Sequence, residues 1–280
     1  MSQFIKYHGH QVNLYVEGQG EPLIFLHGWP TNAQLWKPQV EALKKDYKVI
    51  TLDWLGFGQS DKPTDYQYTF TKKKEMLNIA LDKLLGANEK VNVIAHDIGG
   101  PAAILWVSEH QERVKRLILL NTVLYNFSTT LDKISHFLFA VPLLNQVLMS
   151  RFGLKSLLKT LTKSSGKDTQ QHINEIMDWH KGWTTPIKLK AILEPLKAGK
   201  QNEFLSLGSK FKQLQIAKYL IMAKSDPLCY KHIKKLKDDN PKVPAFTIEH
   251  CGHFIPLDKP RELNNILQEI LTSASTTYER

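Results

Sequence analysis

Short apolar runs alternate along the chain with segments that have the periodicity of amphipathic helices. The runs are rich in β-branched residues and are bounded by polar or glycine-containing turns, which is typical of buried strands. Residues 71–85 and 261–273 have helical spacing. This alternation predicts an α/β fold with a mostly parallel central sheet and helices on both faces. The predicted strands are 22–27, 49–53, 90–95, 116–122, 217–223 and 245–250.

The run at 90–95 leads into the pattern small-x-Asp-x-small, which is typical of the strand-to-helix turn called a nucleophile elbow. Gly99 and Gly100 lack Cβ atoms where the helix start must pass close to the strand, and Pro101 suits a first helical turn. The carboxylate of Asp97 is better suited to displacement at an sp³ carbon, giving an alkyl ester, than to acyl transfer. The simpler interpretation is an aspartate that caps an ordinary helix.

A nucleophile on such an elbow works with an acid and a base that follow it in that order along the chain. Asp226 stands shortly after the strand predicted at 217–223, and His253 stands in a Gly-His-Phe turn after the strand predicted at 245–250. We therefore predict His253 as the base, with Asp226 fixing its tautomer. Because Asp-Pro is also a common turn, a structural role for Asp226 stays open.

In order and spacing these motifs resemble the Asp-nucleophile branch of the α/β-hydrolase superfamily, which contains haloalkane dehalogenases and epoxide hydrolases. The resemblance covers nearly the whole chain. It implies an α/β-hydrolase core domain at 1–122 and 213–280, with an inserted helical cap at 123–212. The His-Gly-x-Pro motif at 27–30 is similar to the oxyanion loop of the family, so the backbone N–H groups of Trp29 and Ile98 are expected to form the oxyanion hole.

The resemblance also implies a mechanism without a cofactor or a metal. Asp97 attacks a substrate carbon, and a water activated by His253 then hydrolyses the alkyl ester. Some relatives place the acid after the strand at 116–122, where this chain has Asn121, so Asp226 is the expected acid and Asn121 is expected to orient water or backbone. A strained ester or lactone hydrolase, and a relative that only binds a ligand, remain open alternatives.

The residues that would stabilise the leaving group differ from those of the haloalkane dehalogenases. These enzymes usually place Trp directly after the nucleophile, whereas this chain has Ile98, whose side chain cannot donate to a halide. Trp29 in the oxyanion loop and Trp179 or Trp183 in the cap are candidate donors, although each is more often a core aromatic. A haloalkane dehalogenase is nevertheless the first-ranked function, narrowly, on the similarity of the core motifs.

The chain also departs from the epoxide hydrolases, the second-ranked function, which use cap tyrosines to protonate the opening oxygen. Residues 126–218 contain no tyrosine. Tyr125 at the mouth of the cap is one substitute, and His136, His172 and His180 are others, although histidines on cap helices are more often structural.

Composition fits an enzyme of one α/β domain with an inserted cap. The chain has 280 residues, of which 42% are hydrophobic, enough for a large core. Its two cysteines do not indicate a disulfide framework, and residues 1–8 lack the apolar core of a signal peptide, so a cytoplasmic location is expected. Motifs typical of zinc or dinucleotide sites do not occur.

The formal net charge of +10 raises the question of an anionic partner. Lys155, Lys159, Lys163 and Lys167 recur at steps of four beside leucines, which predicts a basic amphipathic segment. A solvated cap face is favoured over weak association with a membrane surface, and no nucleic-acid motif accompanies the lysines. The expected partners are a small apolar or amphipathic substrate and water, with the oligomeric state left open.

Overall fold

The computed structural model describes residues 2–86, 88–122, 124, 150–162, 169–179 and 202–273. Within them, strands form one sheet in the order β1-β2-β4-β3-β5-β6-β7-β8. The pairs β1–β2 and β2–β4 are antiparallel, and the other neighbours are parallel. The predicted α/β class with a mostly parallel sheet is confirmed. The strands are β1 (Ser2–Tyr7), β2 (His10–Glu17), β3 (Glu21–Leu26), β4 (Tyr47–Leu52), β5 (Val91–Asp97), β6 (Val114–Thr122), β7 (Ala217–Ala223) and β8 (Ala245–Ile248).

The burial of each strand explains whether the apolar pattern of the sequence predicted it. Every residue of β5 and β7 is buried, because helices cover both faces of the parallel part of the sheet. The six predicted strands correspond to β3 through β8, with ends that differ by up to two residues. The hairpin of β1 and β2 was not predicted, since β1 alternates between exposed and buried positions and has no continuous apolar run.

Helices flank the sheet in the part of the chain that the structure describes. The helices predicted at 71–85 and 261–273 begin one residue earlier, at Phe70 and Pro260. Thr69 caps the first of these, since its side chain accepts from the Lys72 N–H. The helices are α1 (Lys37–Leu43), α2 (Phe70–Leu84), α3 (Gly99–Glu109), α4 (Arg151–Leu161), α5 (Thr169–Trp179), α6 (Leu207–Gln213), α7 (Tyr230–Asp239), α8 (Ile255–Asp258) and α9 (Pro260–Thr272).

The turn after β4 holds neighbouring segments together around a buried carboxylate. Asp53 accepts the Ala33 N–H at 2.8 Å, the Gln59 N–H at 2.9 Å and the Asn13 side-chain amide at 3.0 Å. Gly58 has φ +49°, and a Cβ there would fall 2.2 Å from the Asp53 carboxylate. This turn is structural, and it fixes the segment that follows β3.

Elements of the predicted cap contact the part of the core that carries His253. Helices α4 and α5 pack together, and α5 contacts α8. The His253 N–H donates to the Leu161 carbonyl at the end of α4 at 2.8 Å. His172 of α5 lies with Nδ1 3.5 Å from an oxygen of Asp258 in α8. The predicted boundary at 212/213 falls inside α6, which packs on α3, and the domain limits remain a prediction.

Helix α4 has the amphipathic character predicted from its lysines. Leu154, Leu158 and Leu161 are buried, while Lys155 and Lys159 are exposed. The other two lysines of the predicted basic segment, at 163 and 167, lie outside the described residues. Across the described ranges, none of the helices combines the length and the apolar character needed to cross a membrane.

Candidate active site

The predicted elbow forms at the junction of β5 and α3. Asp97 is the last residue of β5 and has φ 48°, a left-handed conformation that is strained for a residue with a Cβ. A Cβ on Gly99 would lie 2.7 Å from the Leu26 carbonyl oxygen, and one on Gly100 would lie 1.8 Å from Thr122 Oγ1. Thr122 Oγ1 donates to the Asp97 carbonyl at 2.7 Å. The turn is therefore fixed by close packing and by a buried hydrogen bond.

The carboxylate of Asp97 lies against the predicted oxyanion loop. Its Oδ2 accepts the Trp29 N–H at 2.7 Å, and the Ile98 N–H also hydrogen-bonds the carboxylate. A Cβ on Gly28 would lie 2.4 Å from Asp97 Cβ, so only glycine allows this approach. Burial raises the pKa of the Asp97 carboxyl, while His253 and the two N–H groups oppose that rise. The structure thus brings Asp97, Trp29 and Ile98 together.

Asp226 and His253 are hydrogen-bonded to each other. His253 Nδ1 donates to Asp226 Oδ2 at 2.9 Å, and Asp226 Oδ1 accepts the N–H groups of Leu228 at 2.8 Å and Cys229 at 3.2 Å. Burial acts to raise the pKa of Asp226, but His253 and these N–H groups outweigh it and hold the pKa below its ordinary value. Asp226 is therefore a carboxylate that fixes the orientation of the His253 ring.

The other nitrogen of His253 faces Asp97. Nε2 lies 4.0 Å from Asp97 Oδ2, and this buried atom has no hydrogen-bond partner among the described residues. Burial acts to lower the pKa of His253, but Asp226 and Asp97 raise it to about 9. The ring thus lies between two carboxyl groups, contributed by different strand ends, and both act to keep it protonated.

Two more buried histidines hold the backbone around the site. His96 donates from Nε2 to the His253 carbonyl at 2.9 Å. His27 donates from Nδ1 to the Gly28 carbonyl at 2.9 Å and accepts the Trp54 N–H on Nε2 at 3.2 Å. Burial lowers the pKa of both rings to about 3, so both are neutral. The sequence placed both residues beside motifs but gave no indication of these contacts.

Asn121 and Cys229 also lie next to the site. Asn121, at φ 33° near the end of β6, accepts the Ala223 N–H on Oδ1 at 2.8 Å. It therefore orients backbone, one of its two expected roles. Cys229 is buried, with Sγ 3.8 Å from Asp97 Oδ1. The sequence did not single out Cys229, because no local motif predicts that the residue before α7 reaches the end of β5.

The candidate leaving-group residues are only partly within the described chain. The Trp29 side chain is buried, and Trp179 at the end of α5 is partly buried and packs against the core. His172 lies in α5 beside Asp258. The other candidates lie outside the described residues: Tyr125, His136, His180 and Trp183.

The elbow, the loop after β3 and the Asp226–His253 pair all lie within the part of the chain that matches a known protein family. The model described as the alpha/beta hydrolase fold matches residues 21–260. The chain belongs to this family. The expected superfamily is thereby confirmed, and the protein is an α/β-fold hydrolase with dehalogenases and epoxide hydrolases among its relatives.

Individual relatives of this α/β hydrolase differ in the reactions that their names describe. A cis-3-alkyl-4-alkyloxetan-2-one decarboxylase of Shewanella oneidensis is 27% identical over 98% of this chain and 89% of its own length. A haloalkane dehalogenase of Agrobacterium fabrum is 31% identical over 43% of this chain and 39% of its own length. The solved epoxide hydrolase CorEH superposes with a TM-score of 0.80 at 20% identity, covering 96% of this chain and 97% of that one. This last likeness shows the shared fold.

Proposed function

We propose that Asp97 is the nucleophile of a hydrolase that displaces a leaving group from an sp³ carbon and passes through an alkyl-enzyme ester. The observation that carries the proposal is the hydrogen bond from the Trp29 N–H to Asp97 Oδ2, at 2.7 Å. In a serine hydrolase such an N–H would bind a substrate oxygen, whereas here it holds an oxygen of the nucleophile itself. We therefore assign Oδ1 as the attacking oxygen and Oδ2 as the atom that carries the later oxyanion.

The charges of the site suit two successive steps. In the resting enzyme the His253 cation, with its pKa near 9, stabilises the Asp97 carboxylate. Alkylation of Oδ1 expels the leaving group with its electron pair and makes residue 97 neutral. Since the Asp97 charge helps to raise the pKa of His253, that pKa then falls, and the ring releases its Nε2 proton to solvent and becomes a base. Asp226 retains its charge throughout and holds Nδ1.

Hydrolysis of the ester completes the cycle. His253 Nε2 takes a proton from a water, and the water oxygen attacks the carboxyl carbon of residue 97. The negative charge that develops on Oδ2 is bound by the Trp29 N–H, with the Ile98 N–H beside it. Collapse releases the product alcohol and regenerates the Asp97 carboxylate. We expect no cofactor in either step.

A haloalkane is the first candidate substrate, as the core motifs predict. A leaving halide needs N–H donors, and the indoles of Trp29 and Trp179 are the described side chains that we propose for this role. The partial match to a haloalkane dehalogenase supports the assignment. An epoxide remains the alternative, with the acid coming from the cap.

A strained lactone is a further candidate substrate, and Ile98 is the observation that favours it. Attack of Asp97 on the ring carbon that bears the oxygen of an oxetan-2-one would release a carboxylate, which is a stable anion and needs no donor at residue 98. Loss of CO₂ from that carboxylate would form the alkene and expel Asp97, so the atoms balance without water. The relative named for this reaction matches 98% of the chain.

Intact-mass spectrometry of a His253→Phe variant tests the proposal, because loss of the base should leave the ester on Asp97. The variant is incubated separately with bromoalkanes, terminal epoxides and 3-alkyl-4-alkyloxetan-2-ones. An alkyl adduct without bromine supports the dehalogenase. Addition of a whole epoxide supports the epoxide hydrolase, and alkene with CO₂ from an oxetanone supports the lactone reaction.

An Asp97→Asn, His253→Phe double variant is the matched control. We expect it to give neither adduct nor alkene, since an amide is a poor nucleophile. Hydroxylamine should remove the single-variant adduct, because it cleaves an ester but not a thioether at Cys229. An equal yield of adduct or alkene from the double variant, or no reaction with any of the three classes, would refute Asp97 as the nucleophile.

A further inference from the structure

Three buried ligand-type side chains from separate segments converge beside the oxyanion loop: Asp97, Cys229 and His253. An oxygen, the sulfur and a ring nitrogen of these residues all lie within 4.8 Å of one another. Cys229 Sγ is 3.8 Å from Asp97 Oδ1, and His253 Nε2 is 4.0 Å from Asp97 Oδ2. We propose that this triad binds a thiophilic divalent cation such as Zn²⁺ and that the bound ion inhibits the enzyme reversibly.

The spacing of the triad is close to what zinc requires. Zinc binds thiolate sulfur at about 2.3 Å and imidazole nitrogen or carboxylate oxygen at about 2.0–2.2 Å, in a tetrahedron. Such bonds place neighbouring ligand atoms roughly 3.3–3.7 Å apart. The separations of 3.8 and 4.0 Å run to the two different carboxylate oxygens of Asp97, Oδ1 for Cys229 Sγ and Oδ2 for His253 Nε2. Taking one ligand atom from each residue, the three atoms lie within 4.8 Å of one another. Side-chain adjustments of about 1 Å would therefore bring them to the spacing of a zinc site, with water as the fourth ligand.

His253 has the second contact that zinc-binding histidines usually have. Its Nδ1 donates to Asp226 at 2.9 Å, which directs the lone pair of the neutral ring to Nε2. That nitrogen is buried and lacks a hydrogen-bond partner among the residues described. It is aimed at the same space as Cys229 Sγ, and this orphaned nitrogen is an observation independent of the cysteine.

The charges balance when the ion binds. Zn²⁺ displaces one proton from the Cys229 thiol and one from the His253 cation, so the ion replaces two positive charges with two. The bound Zn²⁺ is then coordinated by an Asp97 oxygen and by His253 Nε2, so neither atom is available for the reaction. Inhibition therefore depends on the proposed roles of these two residues, whereas binding of the ion does not.

Cobalt absorption tests binding directly, because Co²⁺ substituted at a zinc site gives a near-ultraviolet thiolate charge-transfer band. The wild-type enzyme, Cys229→Ser and Cys251→Ser are titrated with Co²⁺ and then with Zn²⁺. Cys251 is the matched control: it is the other buried cysteine, it stands two residues before His253, and its Sγ donates to the Gly252 carbonyl at 3.6 Å rather than reaching Asp97. We expect the band in wild type and Cys251→Ser, its loss in Cys229→Ser, and displacement of Co²⁺ by Zn²⁺.

Calorimetry adds the affinity, and we expect Cys229→Ser to bind Zn²⁺ at least about 10-fold more weakly than wild type. A missing band in wild type, or an equal band and equal affinity in Cys229→Ser, would overturn the site. Inhibition is measured with whichever substrate alkylates Asp97, and a chelator should restore the rate. If the band appears while no substrate class reacts, the proposed function fails and the metal site stands.

Discussion

At the scale of the residue, Asp226 uses its two carboxylate oxygens for different contacts. Oδ1 accepts two backbone N–H groups, from Leu228 and Cys229, while Oδ2 accepts from His253 Nδ1. In an Asp226→Asn variant the backbone N–H groups would keep the amide oxygen, so the amide NH₂ would face Nδ1. The His253 proton would then move to Nε2, and that tautomer cannot accept a proton from water.

We predict that Asp226→Asn slows ester hydrolysis by about 10³–10⁴-fold, as loss of the orienting carboxylate does in hydrolytic triads. Formation of the ester should slow much less, so the alkyl-enzyme accumulates. Rapid-quench mass spectrometry of single turnovers measures both steps. Glu249→Gln is the control, because it removes an exposed carboxylate paired with Lys224 at 3.1 Å near the same strand ends. Hydrolysis reduced less than about 10-fold would contradict the role of Asp226.

The sequence identified the residues that stand in local motifs and missed those that depend on tertiary contacts. Asp97 ends one strand and Asp226 and His253 follow two others, and parallel strands bring their carboxyl ends to one edge of the sheet. Cys229, Thr122 and His96 reach the same place through pairing and packing between distant segments. No periodicity or spacing in the sequence encodes those contacts. The triad of Asp97, Cys229 and His253 could therefore be recognised only in the structure.

At the scale of secondary-structure elements, the loop after β3 and the end of β5 approach each other through Gly28. A Cβ at this residue would overlap Asp97 Cβ at 2.4 Å, and the loop could yield only by moving the Trp29 N–H away from Asp97. We predict that Gly28→Ala lowers the free energy of unfolding by about 1–3 kcal/mol, the usual cost of overpacking. We also predict that it slows hydrolysis of the ester by about 10²-fold or more, as loss of an oxyanion-hole donor does.

Urea denaturation and single-turnover mass spectrometry measure these two effects. Gly86→Ala is the matched control, because a Cβ there would meet no atom of the described residues within 4 Å and its φ is not left-handed. We expect Gly86→Ala to change stability by less than about 1 kcal/mol and to leave the rate unchanged. A Gly28→Ala variant with the stability and rate of Gly86→Ala would show that the loop does not need to approach Asp97.

The elements that could be predicted from the sequence are those with continuous apolar runs. Strands β3 through β8 and helices α2 and α9 were found within about two residues, because burial on both faces of a parallel sheet leaves an unbroken apolar pattern. The β1–β2 hairpin was missed because it lies at the sheet edge, where β1 buries only alternate positions near its end. The packing of α6 on α3 follows from tertiary structure, which the local pattern does not specify.

At the scale of the whole molecule, two electrostatic effects oppose each other as pH rises. The net charge of +10 causes self-repulsion that weakens as lysines and histidines lose protons. The buried His253 cation acts in the other direction. Its pKa is about 9 in the folded protein and near 6.5 when unfolded. Between these values the folded state holds more protons than the unfolded state, so stability falls as pH rises.

We predict that this contribution, roughly 3 kcal/mol, is fully present below pH 6.5 and is lost as pH rises through about 9. Asp226→Asn tests it, because among the groups that raise the pKa of His253 the Asp226 carboxylate acts most strongly, and its loss leaves burial to oppose the cation. The free energy of unfolding of wild type and variant is measured by urea denaturation from pH 6 to 9.5. Self-repulsion is nearly the same in both proteins, so it cancels in the difference. The stability gap should be largest near pH 6 and narrow steadily toward pH 9.5. A constant gap would mean that His253 is not held as a cation between the two carboxylates.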